Sequence, residues 1–386
     1  MKRLGSHRAE IFGLAMVAAL VAWIFWPDPG TSTPTIQMAD APGAPTDCTQ
    51  VVGSLKAAQD AVAGAPSGSV VCLRDGEFGK LNLHASKRSP GVTLRAEHPG
   101  DAAIDGVSMA GRNLTVARFK ITSDVEIQPG STGMSVNHNR IGGGYFGIDA
   151  GPTDDVTVND VSIIGNKFVG PYGEDAIRLN RYHDANGDGI GILIEGNEIT
   201  GVVENGSHSD CLQTVWVGDH LVFRRNYLHD NRCQGFFVKD QRSPVHGIVV
   251  NNNLFLRDGL PCAPSAAGCG QPAVVQIFGP YTGLKMIHNT VWDRGNQVAF
   301  QEGSSPSSVI AGNVMYKAWT STRIEGVYRD NTRCIREAAE GGSWPRRTPG
   351  EKVSCHPRFR DPSVDDYRLS DGRGVNWAPA NQHYGP

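Results

Sequence analysis

Three short segments carry polar residues in one arrangement: Asp175-Ala-Ile-Arg178-Leu, Asp210-Cys-Leu-Gln213-Thr and Gln234-Gly-Phe-Phe-Val. Read as strands, they turn Ile177, Leu212 and Phe236 inward and Arg178, Gln213 and Phe237 outward, followed by Asn180, Val215 and Lys239. Asp175, Asp210 and Gln234 then fall at the turn before each strand. If the segments are neighbours, Asp175 and Asp210 stand ~5 Å apart. Two carboxylates that close repel, so one keeps its proton or a cation sits between them. A retained proton gives a general acid, and a shared Ca²⁺ holds an anionic ligand group. The alternative is that both side chains cap turns. The most polar stretch, Glu204–Gln213, contains His208, which titrates near neutral pH and reads as a general base or as a turn cap. Lys239 is a second candidate base if neighbouring cations lower its pKa, and otherwise a solvated surface lysine. Two strands and two positions separate Arg178 from Lys239, ~12 Å between backbones, so long side chains can converge across that gap. Gln213, Gln234 and Asp175 complete the set as ligand-binding groups.

A second motif, DANGDGIGILIE, runs from Asp184 to Glu195. Asp184, Asn186, Asp188, Gly189 and Glu195 match the spacing of a calcium loop, with oxygen donors at alternate positions on a glycine-bearing turn. Its flanks read as strands, so it is not a helix–loop–helix site, and a plain Asp/Asn/Gly turn is the alternative.

These residues have to be positioned by something, and the chain supplies a repeat. An apolar residue, two variable residues, Asn, one variable residue and another apolar residue recur as VNHNRI, IIGNKF, IEGNEI, FRRNYL, VNNNLF, MIHNTV and IAGNVM. The asparagines are Asn139, Asn166, Asn197, Asn226, Asn253, Asn289 and Asn313, at gaps of 27, 31, 29, 27, 36 and 24 residues. A period of that size is the signature of a solenoid. The apolar residues are mostly Val, Ile and Phe in short alternating runs cut by Gly, Asn, Asp and Pro, which is strand chemistry. Asn once per coil suits a stacked turn, since it tolerates left-handed backbone and its amide can bond the amide above.

The repeat resembles the right-handed parallel β-helix of the pectate-lyase-like superfamily over roughly residues 92–314. The resemblance implies an all-β, single-stranded right-handed parallel β-helix acting on an acidic, uronate-containing polysaccharide by β-elimination. Arg178, or a Ca²⁺ at Asp175 and Asp210, would then neutralise the uronate carboxylate, with Lys239 or His208 as base. The lyases' full catalytic signatures are not matched residue by residue. A glycoside hydrolase on the same fold and a non-catalytic glycan-binding or adhesive solenoid are the other readings.

Net charge is −3, pI is about 6.5 and no long charge run occurs, so nucleic acid is not an indicated partner. Lys2, Arg3 and Arg8 precede an apolar run from Ile11 to Trp26. Residues 1–30 read as a signal peptide or an uncleaved membrane anchor, with residues 31–47 as a Pro/Thr-rich linker and residues 48–386 as the β-helix domain. A secreted or tethered extracytoplasmic monomer is expected. Eight cysteines suit an oxidising compartment. Spacing suggests Cys48–Cys72, Cys262–Cys269 and Cys334–Cys355, and leaves Cys211 and Cys233 as a cross-coil bond or two thiols. Ser54 and the spacing of Leu55, Ala58, Val62 and Ala63 predict an N-terminal helix closing the solenoid end. Residues 375–386 read as a tail lying back along the coils.

Overall fold

The computed structural model describes residues 48–152, 156–203, 209–214, 218–239, 245–257, 273–278, 281–292, 297–301, 307–320, 326–335 and 348–382. The N-terminal targeting segment, the linker, His208, Val215 and the Cys262–Cys269 pair lie outside these. Among the described residues, no helix is long and apolar enough to cross a membrane.

Alternation of β-branched and polar residues makes short strands, and the stacking of those strands makes the molecule. All strand pairs between named strands are parallel, in a sheet of 12 strands, a sheet of 19 strands and two small ladders. Each typical coil contributes three strands, and so three walls. Ile163–Glu195 shows the pattern: Val161–Ile164 lies on the first wall, Lys167–Val169 on the second, Ile177–Leu179 on the third, and Ile192–Glu195 returns to the first. The fold is an all-β parallel β-helix. Its interior is built of in-register apolar rows. On the first wall Val136, Ile163, Ile194, Phe223, Val250 and Met286 stack in one line, each fully buried.

The corner between first and second walls explains the repeat. The residue before each recurring Asn is in the left-handed region or is a glycine there: His138, Gly165, Gly196, Arg225, Asn252, His288 and Gly312. That turn aims the Asn side chain inward along the stack. Asn139 N–H and Nδ2 both donate to Asn166 Oδ1, at 2.9 and 3.1 Å, while Nδ2 also donates to the Val116 carbonyl at 3.0 Å. The same three bonds recur at Asn166, Asn197, Asn226, Asn253, Asn289 and Asn313. An eighth member, Asn331, ends the ladder and donates to the Ile310 carbonyl at 2.8 Å. All eight are 0% exposed. Phe119, which takes the asparagine position one coil earlier, donates its N–H to Asn139 Oδ1.

A helix closes the N-terminal end, and the C-terminal segment is tied back along the coils. Helix α1, Leu55–Gly64, is capped by Ser54, whose side chain accepts the Ala57 N–H, and it buries Ala58 and Val62. At the other end, the C-terminal segment returns along the second wall. Val375 and Trp377 pack with Tyr227, Leu254 and Leu256, and Trp377 Nε1 donates to the Asn252 carbonyl at 2.7 Å. Cys48–Cys72, Cys211–Cys233 and Cys334–Cys355 are bonded, as in a chain folded in an oxidising compartment.

Candidate active site on the third wall

The third wall stacks Val125–Ile127, Ile148–Ala150, Ile177–Leu179, Gln213–Thr214, Phe236–Lys239 and Ala273–Phe278. Its inward row is apolar apart from Thr214. Its outward row reads Glu126, Asp149, Arg178, Gln213, Phe237, Gln276 from coil to coil. Strand spacing puts successive members ~4.8 Å apart; Glu126, Arg178 and Gln213 are partly exposed, while Asp149, Phe237 and Gln276 are buried. The next outward position holds Asn180 and, two coils on, Lys239, whose backbone pairs with Phe278.

The turns before these strands bring Asp175, Asp210 and Gln234 into one column. Asp210 N–H donates to Asp175 Oδ1 at 2.8 Å, and Asp210 bridges to Gln234. The Cys211–Cys233 disulfide fastens the same two turns covalently. Asp175 and Asp210 are both 0% exposed, and Asp175 Oδ2 has no hydrogen-bond partner among the described residues. Burial, then the charge of Asp210, push the Asp175 carboxyl up to about 9. At neutral pH Asp175 is therefore a neutral acid behind the wall. Asp210 Oδ2 accepts from Gln213 Nε2 at 2.7 Å. That bond fixes the Gln213 amide, leaving its carbonyl oxygen as the end available to a ligand.

Arg178 has a partner that the sequence did not suggest. Its Nε and Nη2 donate to Asp149 Oδ1 and Oδ2, at 3.0 and 2.6 Å, across one coil. The guanidinium also lies 3.8 Å over the Phe146 ring. Asn180 Nδ2 makes a long contact of 3.4 Å to Asp149 Oδ1. Burial raises the pKa of Asp149, while Arg178 pulls the other way. The ion pair occupies one edge of the guanidinium, so Nη1 is the donor edge left for an anionic ligand. Asp149 was missed because its coil, GGGYFGIDAG, is short and glycine-rich. Laying FGIDA over DAIRL would have placed it under Arg178.

The DANGDG loop departs from the calcium expectation. Asp184 accepts from the N–H groups of Gly187 and Gly189, Asn186 from Asp188 and Asp188 from Ile190. Glu195 sits on the following strand, 7% exposed, and pairs with Arg224 on the next coil at 2.8 Å. The side chain meant to close the cage is thus engaged elsewhere. Asp184, Asn186 and Asp188 stay on the turn with their oxygens already accepting backbone N–H bonds, so an ion there would need backbone carbonyls and water as its remaining ligands. The Asp175–Asp210 pair offers two carboxylates, both buried. Elsewhere, Asp75, His98 and Asp101 bring one potential ligand atom each within 4.8 Å of one another, all three exposed.

Comparison with known proteins gives fold relatives only. No family model matches the chain, and no curated protein matches it. Among solved structures, it is similar to a mannuronic-acid-specific polysaccharide lyase of family 6 from the human gut microbiota. That match has 14% identity and a TM-score of 0.46, over 79% of this chain and 82% of that one. It is also similar to pectate lyase Pel9A, at 12% identity and TM-score 0.34, over 84% and 82%. A third is PfbA, a surface adhesin of Streptococcus pneumoniae, at 12% identity and TM-score 0.33, over 75% and 88%.

Proposed function

We propose that the third wall binds an acidic, uronate-containing polysaccharide and cleaves it by β-elimination. The observation that carries this reading is the Asp149–Arg178–Gln213 row, backed by a buried carboxyl pair, on consecutive coils. β-Elimination from a uronate needs the carboxylate neutralised, the proton at C5 removed and the leaving oxygen at C4 protonated. Arg178, held by Asp149, presents Nη1 to the carboxylate. Lys239, two coils on, or His208, in the loop before Asp210, takes the C5 proton and, once protonated, returns a proton to the departing C4 oxygen. Gln213 and Gln234 orient ring hydroxyls. Asp175 and Asp210 act behind the wall by fixing Gln213, rather than by touching substrate. No step is routed through a metal.

A second reading has its own support. Both members of the carboxyl pair are fully buried, and Arg178 is already paired, which suits a wall that holds glycan without cutting it. Incubating the purified protein with alginate, polygalacturonate and hyaluronan separates the readings. Ultraviolet absorbance from 4,5-unsaturated ends supports the lyase. New reducing ends without absorbance mean hydrolysis, and retention without turnover means a binding protein.

A further inference from the structure

Several charges that meet across coils in this molecule are of opposite sign. Arg178 meets Asp149 at 2.6 Å, Arg224 meets Glu195 at 2.8 Å, and Lys167 meets Glu198 at 2.9 Å. Arg257 meets Asp230 at 2.6 Å. The outer face of the second wall instead carries cations in register. Lys120, Arg140 and Lys167 are in one register on three consecutive coils. Lys167 is neutralised by Glu198. Lys120, which is exposed, and Arg140, which is half-buried, form no ion pair among the described residues, and Ala103 stands opposite Lys120 on the coil before. Like charges directly opposite are destabilising in a sheet, so an anion lying over Lys120 and Arg140 would relieve a repulsion that the described residues leave unpaired.

The rest of that wall is already covered. From Tyr227 onward the C-terminal segment packs over it, through Val375, Trp377 and the Asp365 contact to Arg257. The basic row lies on the earlier coils. On the Arg140 coil, the corner leading to the third wall presents Tyr145, 55% exposed, an aromatic side chain out in solvent. Its backbone is pinned, since Asp124 Oδ1 accepts the N–H groups of Tyr145 and Phe146 at 2.7 and 3.1 Å. Phe146 meets the ring edge-on at 4.8 Å. A side chain at Gly173 would come within 2.5 Å of the Tyr145 ring, so glycine makes room for it.

We propose that this face is a second binding surface, separate from the third wall, for a linear acidic polysaccharide lying along the stack. A uronate chain carries one carboxylate per ring, so a chain lying along the stack brings a line of anions past the cations. Its carboxylates would meet Lys120 and Arg140, and a ring face would rest on Tyr145, whose apolar body and polar tip suit a sugar. Nucleic acid would also answer the cations, but the chain's net charge of −3 and the lone aromatic platform favour the glycan. The inference does not depend on cleavage: a chain held here is held whether or not the third wall turns it over.

Affinity electrophoresis of the full chain through gels containing alginate, polygalacturonate or dextran tests it. Wild type is expected to be retarded by both acidic polymers, less so as salt rises, and not by dextran. The double variant Lys120→Gln/Arg140→Gln is expected to lose about tenfold in affinity with an unchanged melting curve. Lys56→Gln, which removes a charge on the N-terminal helix away from both walls, is expected to keep this retardation. Tyr145→Ala should weaken binding without altering its salt dependence. Retardation of the double variant equal to wild type, or equal retardation by dextran, overturns the proposal. Tighter capture of single-stranded DNA, lost in the same double variant, overturns the glycan assignment.

Discussion

The corner lined by asparagines and the third wall are built from the same coils, yet they use polar groups in opposite ways. At the corner every amide is fully buried, every donor has a partner, and the same three bonds repeat from Asn139 to Asn313. On the third wall nothing repeats: Glu126, Asp149, Arg178, Gln213, Phe237 and Gln276 follow one another in register. Repetition is what a solenoid needs to hold coil on coil. Variation along one register is what a site needs to meet a ligand that is not the protein itself. The difference separates the residues that make the fold from those that can do chemistry.

If the corner carries stability, breaking one rung should be costly. Asn226→Ala removes the acceptor of the Asn197 N–H and Nδ2 and the donor to the Ile194 carbonyl. Leaving those groups buried and unpaired is expected to cost about 3–5 kcal/mol, read from urea denaturation. A loss below about 1 kcal/mol would mean that the ladder is ornamental.

The carboxyl pair sharpens the contrast through pH. The folded chain keeps the Asp175 proton up to about 9, whereas the unfolded chain releases it near the ordinary value of 3.8. Stability from this group is therefore complete below that ordinary value and is lost as pH climbs toward 9. Wild type should melt at progressively lower temperature over that window. Asp175→Asn, which has no such proton, should show a flatter profile, and parallel profiles for the two would contradict the assignment.

A smaller effect concerns the C-terminal segment. His229 is partly buried, which disfavours its charge, but hydrogen bonds to Glu198 and Asp230 outweigh that and raise its pKa. Lys167, Arg257, Asp365 and Tyr227 complete the surrounding network. The stability contributed by charged His229 is present below the ordinary histidine value and lost as pH rises through the raised one. His229→Gln is expected to cost about 1 kcal/mol and to speed amide exchange in residues 357–382, with little change at the asparagine corner. Uniform acceleration across the chain would show that the segment is not a local unit.

Most of the fold was legible because the corner imposes a spacing that sequence records directly. Asn331 escaped notice because Arg333 stands where the repeat calls for an apolar residue. Arg333 is buried at the last coil and ion-paired to Glu351, a position that ends the apolar row. The third-wall register could be read from period-two alternation, which put Asp175, Asp210 and Gln234 in one column before their strands. What could not be read was which neighbour each charge would choose. Arg178 turned to Asp149, and Glu195 turned to Arg224 instead of the DANGDG loop. Such choices depend on side-chain rotamers and on the coil next door, neither of which leaves a local pattern. Lys239 takes its backbone place in the register, while His208 lies outside the described residues, so their roles as base stand as proposals.

The most direct test sets the two regions against each other on one substrate. Arg178→Gln and Asn226→Ala are compared with wild type for release of 4,5-unsaturated ends from a uronate polymer, at a temperature where circular dichroism shows all three folded. The account predicts that Arg178→Gln loses about 100-fold in kcat, while Asn226→Ala turns over within about twofold of wild type despite its lower stability. Unimpaired turnover by Arg178→Gln would remove the third wall from the chemistry.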